Sequence, residues 1–270
     1  MHLKRWLTAI VGVPLLVIII SFGGTLLFTF LIIAVSSVAL WEYFRIVASP
    51  DDGSAYRIIP PVAYVTGVFI LWAAYKQSPE MIIAILTFNL ILCASIAIFS
   101  FETDPNTPAI ITRQMLGSVY IPVFLAHLIL LRNVSSGSSW IYFLLAVIFA
   151  GDTGAYYVGS YFGRHKLCPA VSPKKTVEGA LGGLAANLLI GAMFKNHLMP
   201  NLSWQIVCLL FITMGVAGQV GDLFESQLKR VGGIKDSGTI LPGHGGILDR
   251  IDALLFAVPT VYYFQLFFSM

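Results

Sequence analysis

Between Gly221 and Asp252 the chain concentrates groups suited to phosphate and metal chemistry. These are Asp222, Glu225, Lys229, Arg230, Lys235, Asp236, His244, Asp249, Arg250 and Asp252, with Gly243, Gly245 and Gly246 among them. Asp249 and Asp252 are three apart and share a helix face, and magnesium is usually held by one or two carboxylates plus substrate phosphates. The interleaved bases would serve phosphates that the acids alone would repel. The glycines let backbone amides converge on an anion, and a helix starting just after them adds its positive dipole end. Acids and bases alternating at this scale point to a nucleotide and a metal together.

The elements that carry these residues must sit in a bilayer. Of 270 residues, 57% are hydrophobic and 11% charged, with a mean hydropathy of +0.85. Soluble domains carry about 25% charged residues, so a water-soluble enzyme is excluded, and so is a disordered chain. A formal charge of +3 is too slight for a nucleic-acid partner. Cys93, Cys168 and Cys208 are widely spaced and read as packing residues rather than a zinc site or disulfide framework. No Gly-x-x-x-x-Gly-Lys-Ser/Thr, no Gly-x-Gly-x-x-Gly after a strand and no His-Glu-x-x-His occurs, which removes the main support for P-loop hydrolysis, dinucleotide redox chemistry and zinc proteolysis.

Runs of about 20 apolar residues, the length needed to cross the hydrocarbon core, predict an all-α polytopic membrane protein of about nine transmembrane helices. The runs lie near 6–22, 25–43, 58–75, 81–99, 114–131, 140–162, 180–194, 204–220 and 247–268. His2–Arg5 before the first run imitates a signal peptide, but no small-residue cleavage site follows, so the run reads as a retained helix. Of the sixteen Lys and Arg, only Lys76, Arg132 and Lys195 fall in odd-numbered loops, leaving thirteen in the even loops and at the N-terminus. That bias predicts an N-terminus and even loops in the cytoplasm, hence a multi-pass protein of the cell's inner membrane. The five tryptophans, Trp6, Trp41, Trp72, Trp140 and Trp204, fall near the span ends, where amphipathic rings settle.

The two halves differ in character. Residues 1–135 read as a scaffold of about five ordinary spans, with His127 as an intramembrane polar residue expected to bond to a neighbouring helix. Residues 136–270 read as the catalytic region, with cytoplasmic loops at 163–179 and 221–249. Here Gly151, Ala155, Gly159 and Gly163 recur every four residues, as do Gly179 and Gly183, a pattern that lets helix backbones approach closely within one chain or across a homodimer. Asp152 falls near the middle of the sixth span. A carboxylate at a helix centre costs about 2.5–3.5 kcal/mol on insertion scales, so it needs a polar cavity, a cation or a partner.

The charged segment resembles the signature of the CDP-diacylglycerol synthases, or phosphatidate cytidylyltransferases. It reads Ser226-x-Leu228-Lys229-Arg230, four residues, Lys235-Asp236-x-Gly238, Leu241-Pro242-x-His244-Gly245-Gly246, then Asp249-Arg250-Ile251-Asp252. A second stretch is also similar to the family: Gly151–Tyr156, Gly163-Arg164, and Ser172–Gly179 with Lys174 and Lys175. The resemblance implies transfer of CMP from CTP to phosphatidic acid, with magnesium required and the presence of a second cation left open. It implies Asp222 and Asp249 as metal ligands, with Asp252 and Glu225 in the same shell. Lys229, Arg230 and Arg250 become candidates for the triphosphate or the lipid phosphate, and Lys174 and Lys175 for closing over it. Ser226, Lys235, Gly245 and Gly246 fall among the substrate-binding positions, and His244 beside the leaving pyrophosphate. A CDP-alcohol phosphotransferase is a weaker reading, because Asp52-Gly53 opens its motif but Ala55 and Arg57 fall out of register. An ion-coupled transporter is another, opposed by the absence of paired broken helices and by the basic character of the charged loop.

Overall fold

The computed structural model describes residues 2–50, 52–240 and 245–268. Ten α-helices follow one another: α1 His2–Phe22, α2 Gly24–Val47, α3 Ile59–Tyr75, α4 Pro79–Ser100, α5 Thr107–Ser118, α6 Phe124–Asn133, α7 Gly137–Phe162, α8 Val177–Leu198, α9 Trp204–Val231 and α10 Leu248–Phe268. A π-helical turn at Val119–Val123 joins α5 to α6 into one span, Thr107–Asn133. Pro122 within that turn has no N–H for the regular ladder, a known cause of such a distortion. Among the described residues eight spans are long and apolar enough to cross a membrane, while α1 offers a shorter apolar stretch, Gly12–Phe22. Each of the nine expected runs coincides with a helical segment, the first of them, 6–22, with α1.

Two expectations are corrected. The segment 221–231, expected as loop, is helical, because α9 continues through Leu223–Arg230 with good helix formers and stops only at Gly232-Gly233, where Gly233 takes φ +66°. The loop after α7 is not irregular either. It forms a hairpin of β1 Lys166–Cys168 antiparallel to β2 Ser172–Thr176, the only strand pair among the described residues of a chain expected to be all-α.

The chain packs as two units, Met1–Asn133 with Val231–Asp249, and Val134–Arg230 with Arg250–Met270. In the first, α3 packs against α2, α4, α5 and α6. Apolar helices gain no hydrophobic driving force against lipid, so polar pairs help to lock them together. Asn89 of α4 and Gln114 of α5 exchange amide hydrogen bonds of 2.9 and 3.2 Å, and Thr66 of α3 donates to Asn89 Oδ1 at 3.0 Å. His127 Nδ1 lies 2.8 Å from the carbonyl oxygen of Val123, one turn earlier in the same span. Asp52 pairs with Arg113 and accepts the Ser49 amide at 2.8 Å, which closes the turn after α2.

The segment 231–249 belongs to this first unit, and one side chain organises it. Glu42, near the end of α2, is fully buried. Its carboxylate accepts hydrogen bonds from Ser237 Oγ at 3.0 Å, Ile247 N at 3.0 Å and Leu248 N at 2.8 Å. The last two amides open α10, where the N–H groups have no partner inside the helix and the dipole favours an anion.

In the second unit α7 and α8 run in close contact along the glycine and alanine positions. A side-chain carbon at Gly179 would lie 2.8 Å from the Ala155 carbonyl oxygen and 3.1 Å from Gly159 Cα. The small-residue stripes are thus spent inside the chain. Gly215, Gly218 and Gly221 form a further stripe on α9, and at Gly221 any side chain would collide with the Asp252 carbonyl oxygen of α10. Thr176 caps α8 by accepting the Gly179 amide at 3.1 Å. Glu178 in the first turn accepts the Arg164 amide at 3.0 Å and lies 2.6 Å from His165 Nδ1, tying the hairpin's start to the helix.

Two substitutions test this architecture. Glu42→Ala leaves three buried donors without an acceptor, at about 1–3 kcal/mol each, so thermal unfolding in detergent should shift far more than for Glu102→Ala on the exposed loop after α4. Equal melting temperatures would refute the anchoring role. Gly179→Val should destabilise by roughly 1–3 kcal/mol through overpacking, whereas Gly12→Ala, with nothing within 4 Å, should melt like the parent protein.

Candidate active site

The second unit encloses a cavity of about 400 Å³ between α7, α8 and α9, with one contribution from α10. Its walls are largely glycine and alanine, and its polar lining is concentrated in Asp152, Lys174, Lys175, Asn187, Gln219 and Asp222. Small residues make room because neighbouring backbones replace side chains as the wall.

Each polar group arrives on a different element. Asp152 projects from α7 and Asp222 from α9. Lys174 and Lys175 come from β2, so the hairpin brings both lysines to the cavity. Lys175 Nζ pairs with Asp222 Oδ2 at 2.5 Å. Gln219, one turn before Asp222, donates through Nε2 to the Ala180 carbonyl oxygen at 2.9 Å. Asp252, in the first turn of α10, lies close enough to Asp222 and Asp152 for the three carboxylates to repel one another. The cations whose fields reach them are Lys175 and Arg250 at Asp152, and Lys229 at Asp252. Three carboxylates are thus set against three cations, of which Asp152 and Lys175 come from outside the charged segment 221–252.

The remaining expected residues are placed differently. Glu225 is fully buried, pairs with Lys229 one turn along α9, and does not line the cavity. Arg230 Nε donates to the Val171 carbonyl oxygen at 3.1 Å, which tethers the turn of the hairpin to α9. Ser226 is half-buried on α9, and Lys235 is exposed in the segment before α10. His244 lies outside the described residues.

Gly245, Gly246 and Asp249 lie in the first unit. The amides expected to face an anionic substrate face protein carboxylates there. Asp249 Oδ2 accepts Gly246 N at 2.9 Å and Ser237 N at 3.0 Å, while Glu42 takes Ile247 and Leu248. The anion at this helix start is supplied by α2, some two hundred residues earlier in the chain. Gly245 adopts φ +85°, a conformation that side chains strain to reach, and any carbon added at Gly246 would strike Glu42 and Ser237.

The donor chemistry of the cavity fits magnesium. Asp152, Asp222 and Asp252 offer hard oxygen atoms whose mutual repulsion a cation would relieve. Among the described residues no three acidic or histidine groups form a ready metal cluster. Asp152 is the cavity carboxylate whose role the sequence left unassigned, and its position in the middle of a span was the signal. Asn187 and Gln219 gave no such signal, since single amides on apolar helices are common as interhelical hydrogen-bonding groups.

Comparison with known proteins identifies the family. Residues 3–268 match the model of the cytidylyltransferase family. A phosphatidate cytidylyltransferase of Bacillus subtilis is 36% identical over 259 residues, covering 91% of each chain. One from Staphylococcus haemolyticus is 33% identical over 262 residues, covering 95% of this chain and 96% of the relative. Another, from Staphylococcus aureus, is 30% identical over 258 residues at the same coverage. A match along nearly the whole length, first half included, means that this chain belongs to the cytidylyltransferase family.

Proposed function

We propose that the protein transfers the cytidylyl group of CTP to phosphatidic acid, forming CDP-diacylglycerol and pyrophosphate in phospholipid biosynthesis. The observation that carries this reading is the cavity within a bundle of apolar helices, lined by Asp152, Asp222, Lys174 and Lys175, with Asp252 and Arg250 within electrostatic reach of Asp152 and Lys229 within reach of Asp252. A phosphate oxygen of the lipid attacks the α-phosphorus of CTP, and the bond from that phosphorus to the pyrophosphate oxygen breaks. The nucleophile is already anionic at neutral pH, so the difficulty is to bring two anions together. Catalysis is then positioning plus charge neutralisation, as in phosphoryl transfer generally.

Lys174 and Lys175, carried on β2, neutralise the triphosphate at the cavity mouth, and Arg230 holds the hairpin in register by its bond to Val171. Arg250 and Lys229 offer further positive charge beside Asp152 and Asp252. Magnesium, held by Asp222 and Asp252 with Asp152 beside them, would supply the divalent charge that offsets the approaching phosphates. For Asp249 the hydrogen bonds support an ordering role at the start of α10. The acyl chains of the substrate stay among membrane lipids, so the site serves a headgroup rather than a dissolved molecule.

The charge bias between loops supports cytoplasmic hairpin and signature segments at the inner membrane of a bacterium. Two of the three odd-loop cations, Lys76 and Lys195, sit over tryptophan rings as residues at an interface do. Lys76 sits 5.6 Å over Trp72, and Lys195 sits 5.4 Å over Trp204 while donating to the Pro200 carbonyl oxygen. A homodimer is the assembly we propose, to be tested by the mass of the purified protein in detergent. The stripes of small residues no longer argue for it.

In a purified preparation, Asp222→Asn should abolish magnesium- and CTP-dependent formation of CDP-diacylglycerol with the melting temperature preserved, and Lys175→Ala should lower it about 10- to 100-fold. Lys76→Ala should leave turnover almost untouched. Near-normal turnover in Asp222→Asn would defeat the site assignment. For topology, single cysteines placed at 76 and at 174 in a cysteine-free background should react with an impermeant thiol reagent from opposite sides of sealed vesicles.

A further inference from the structure

Gln219 of α9 offers the cavity an acceptor that the chemistry above does not use. Its Nε2 donates to the Ala180 carbonyl oxygen of α8 at 2.9 Å, and only the nitrogen end of a carboxamide can face a carbonyl oxygen in this way. The orientation of the amide is therefore fixed. Oε1, its other arm, has no hydrogen-bond partner among the described residues. Asn187 Oδ1 is packed out of reach against Gly151, whereas Gln219 is half-buried, lines the cavity and keeps Oε1 open to it. Gln219 also stands one turn before Asp222, so the two share a face of α9 with Cβ atoms about 5–6 Å apart. Asp222 in turn pairs with Lys175, the cation expected at the phosphates.

We infer that Gln219 holds the sugar of the nucleotide, its Oε1 accepting a hydrogen bond from the ribose 3′-hydroxyl. Two observations select this partner. The first is hydrogen-bond sense: a fixed acceptor needs a donor. The triphosphate, the anionic oxygen of the attacking lipid phosphate and the glycerol esters are all acceptors, whereas the ribose hydroxyls and the cytosine amine are donors. The second is level along α9. One turn from Asp222 is close to the reacting phosphate, and of those donors the 3′-hydroxyl stands the fewest bonds from the α-phosphorus and the amine the most. A contact there places the sugar, and with it the α-phosphorus, against the carboxylate and the lysine, which is the positioning that this transfer depends on. Its bond to Ala180 keeps the glutamine from losing rotamer freedom when the nucleotide arrives. The 2′-hydroxyl is left unread.

This inference rests on the cytidylyltransferase reading, and its test separates the two. With purified full-length protein, magnesium and phosphatidic acid, kcat/KM is measured for CTP, 3′-deoxy-CTP and 2′-deoxy-CTP in the parent protein and in Gln219→Ala. The parent protein should prefer CTP over the 3′-deoxy nucleotide by about 10-fold, the scale of one hydrogen bond left unmade in an enclosed site, and should use the 2′-deoxy nucleotide nearly as well as CTP. In Gln219→Ala, turnover of CTP should fall to the level of 3′-deoxy-CTP, with no further loss when the hydroxyl is also removed, because the two changes delete the same contact. A merely structural role would lower all three nucleotides alike and keep the parent's preference, and that result overturns the inference. The 3′-deoxy nucleotide probes the contact in the unaltered protein, so a folding defect in the variant does not shield it. Equal use of CTP and 3′-deoxy-CTP by the parent protein overturns it, as does an equal penalty for the 2′-deoxy nucleotide. A variant whose defect lies only in the KM for phosphatidic acid, or only in a raised magnesium requirement, overturns it too. Absence of any CTP turnover in the parent protein would overturn the functional reading together with this one.

Discussion

Negative charge held inside a bundle of apolar helices is the constraint on which the second unit depends. A carboxylate at the centre of a transmembrane helix is costly unless it meets a cavity, a cation or a partner. Asp152, Asp222 and Asp252 lie close enough to repel one another. Lys175 reaches Asp222 from the hairpin, and Arg250 and Lys229 lie within range of the other two. The arrangement is held in place by backbone proximity. Glycines on α7, α8 and α9 let the helices come close enough to share a cavity, and Gly221 lets α10 pass α9 at the level of Asp252. Charge without close packing would leave the acids facing lipid; close packing without charge would leave only an apolar crevice.

The first unit meets a related problem by a different route. Its single fully buried carboxylate on α2, Glu42, needs no metal, because two amides at the start of α10 and one hydroxyl satisfy it. Helix starts attract anions through their free N–H groups and dipole. A side chain used in this way makes the order of the signature segment depend on the N-terminal half. That half is more than inert scaffold, and the family match extending over residues 3–268 accords with it.

Close association of α7 and α8 bears on function as well as stability. The hairpin that joins them delivers Lys174 and Lys175, and it is secured at three points: Thr176 at the cap of α8, Glu178 on the amides after α7, and Arg230 on Val171. A short loop with independent anchors keeps long, flexible lysine side chains near one place. That restriction lowers the entropy lost when they close on a phosphate.

Membrane character, the helical class, the positions of the spans and the charged signature were legible in the sequence, because hydrophobic length and local motif are properties of neighbouring residues. Asp152 was legible as an anomaly for the same reason. Sequence did not disclose that α9 would carry Asp222 and Lys229 on a helix rather than a loop, since an apolar window ends before an amphipathic continuation does. Nor did it disclose Glu42 as the anion at the start of α10, or Asn187 at the depth of the cavity. Both depend on contacts between elements distant in the chain, and a lone polar residue on an apolar helix looks the same whether it faces a neighbour, a cavity or nothing. Tertiary structure alone decided the partner of the Gly246 amide as well, which donates to Asp249 across the turn that opens α10.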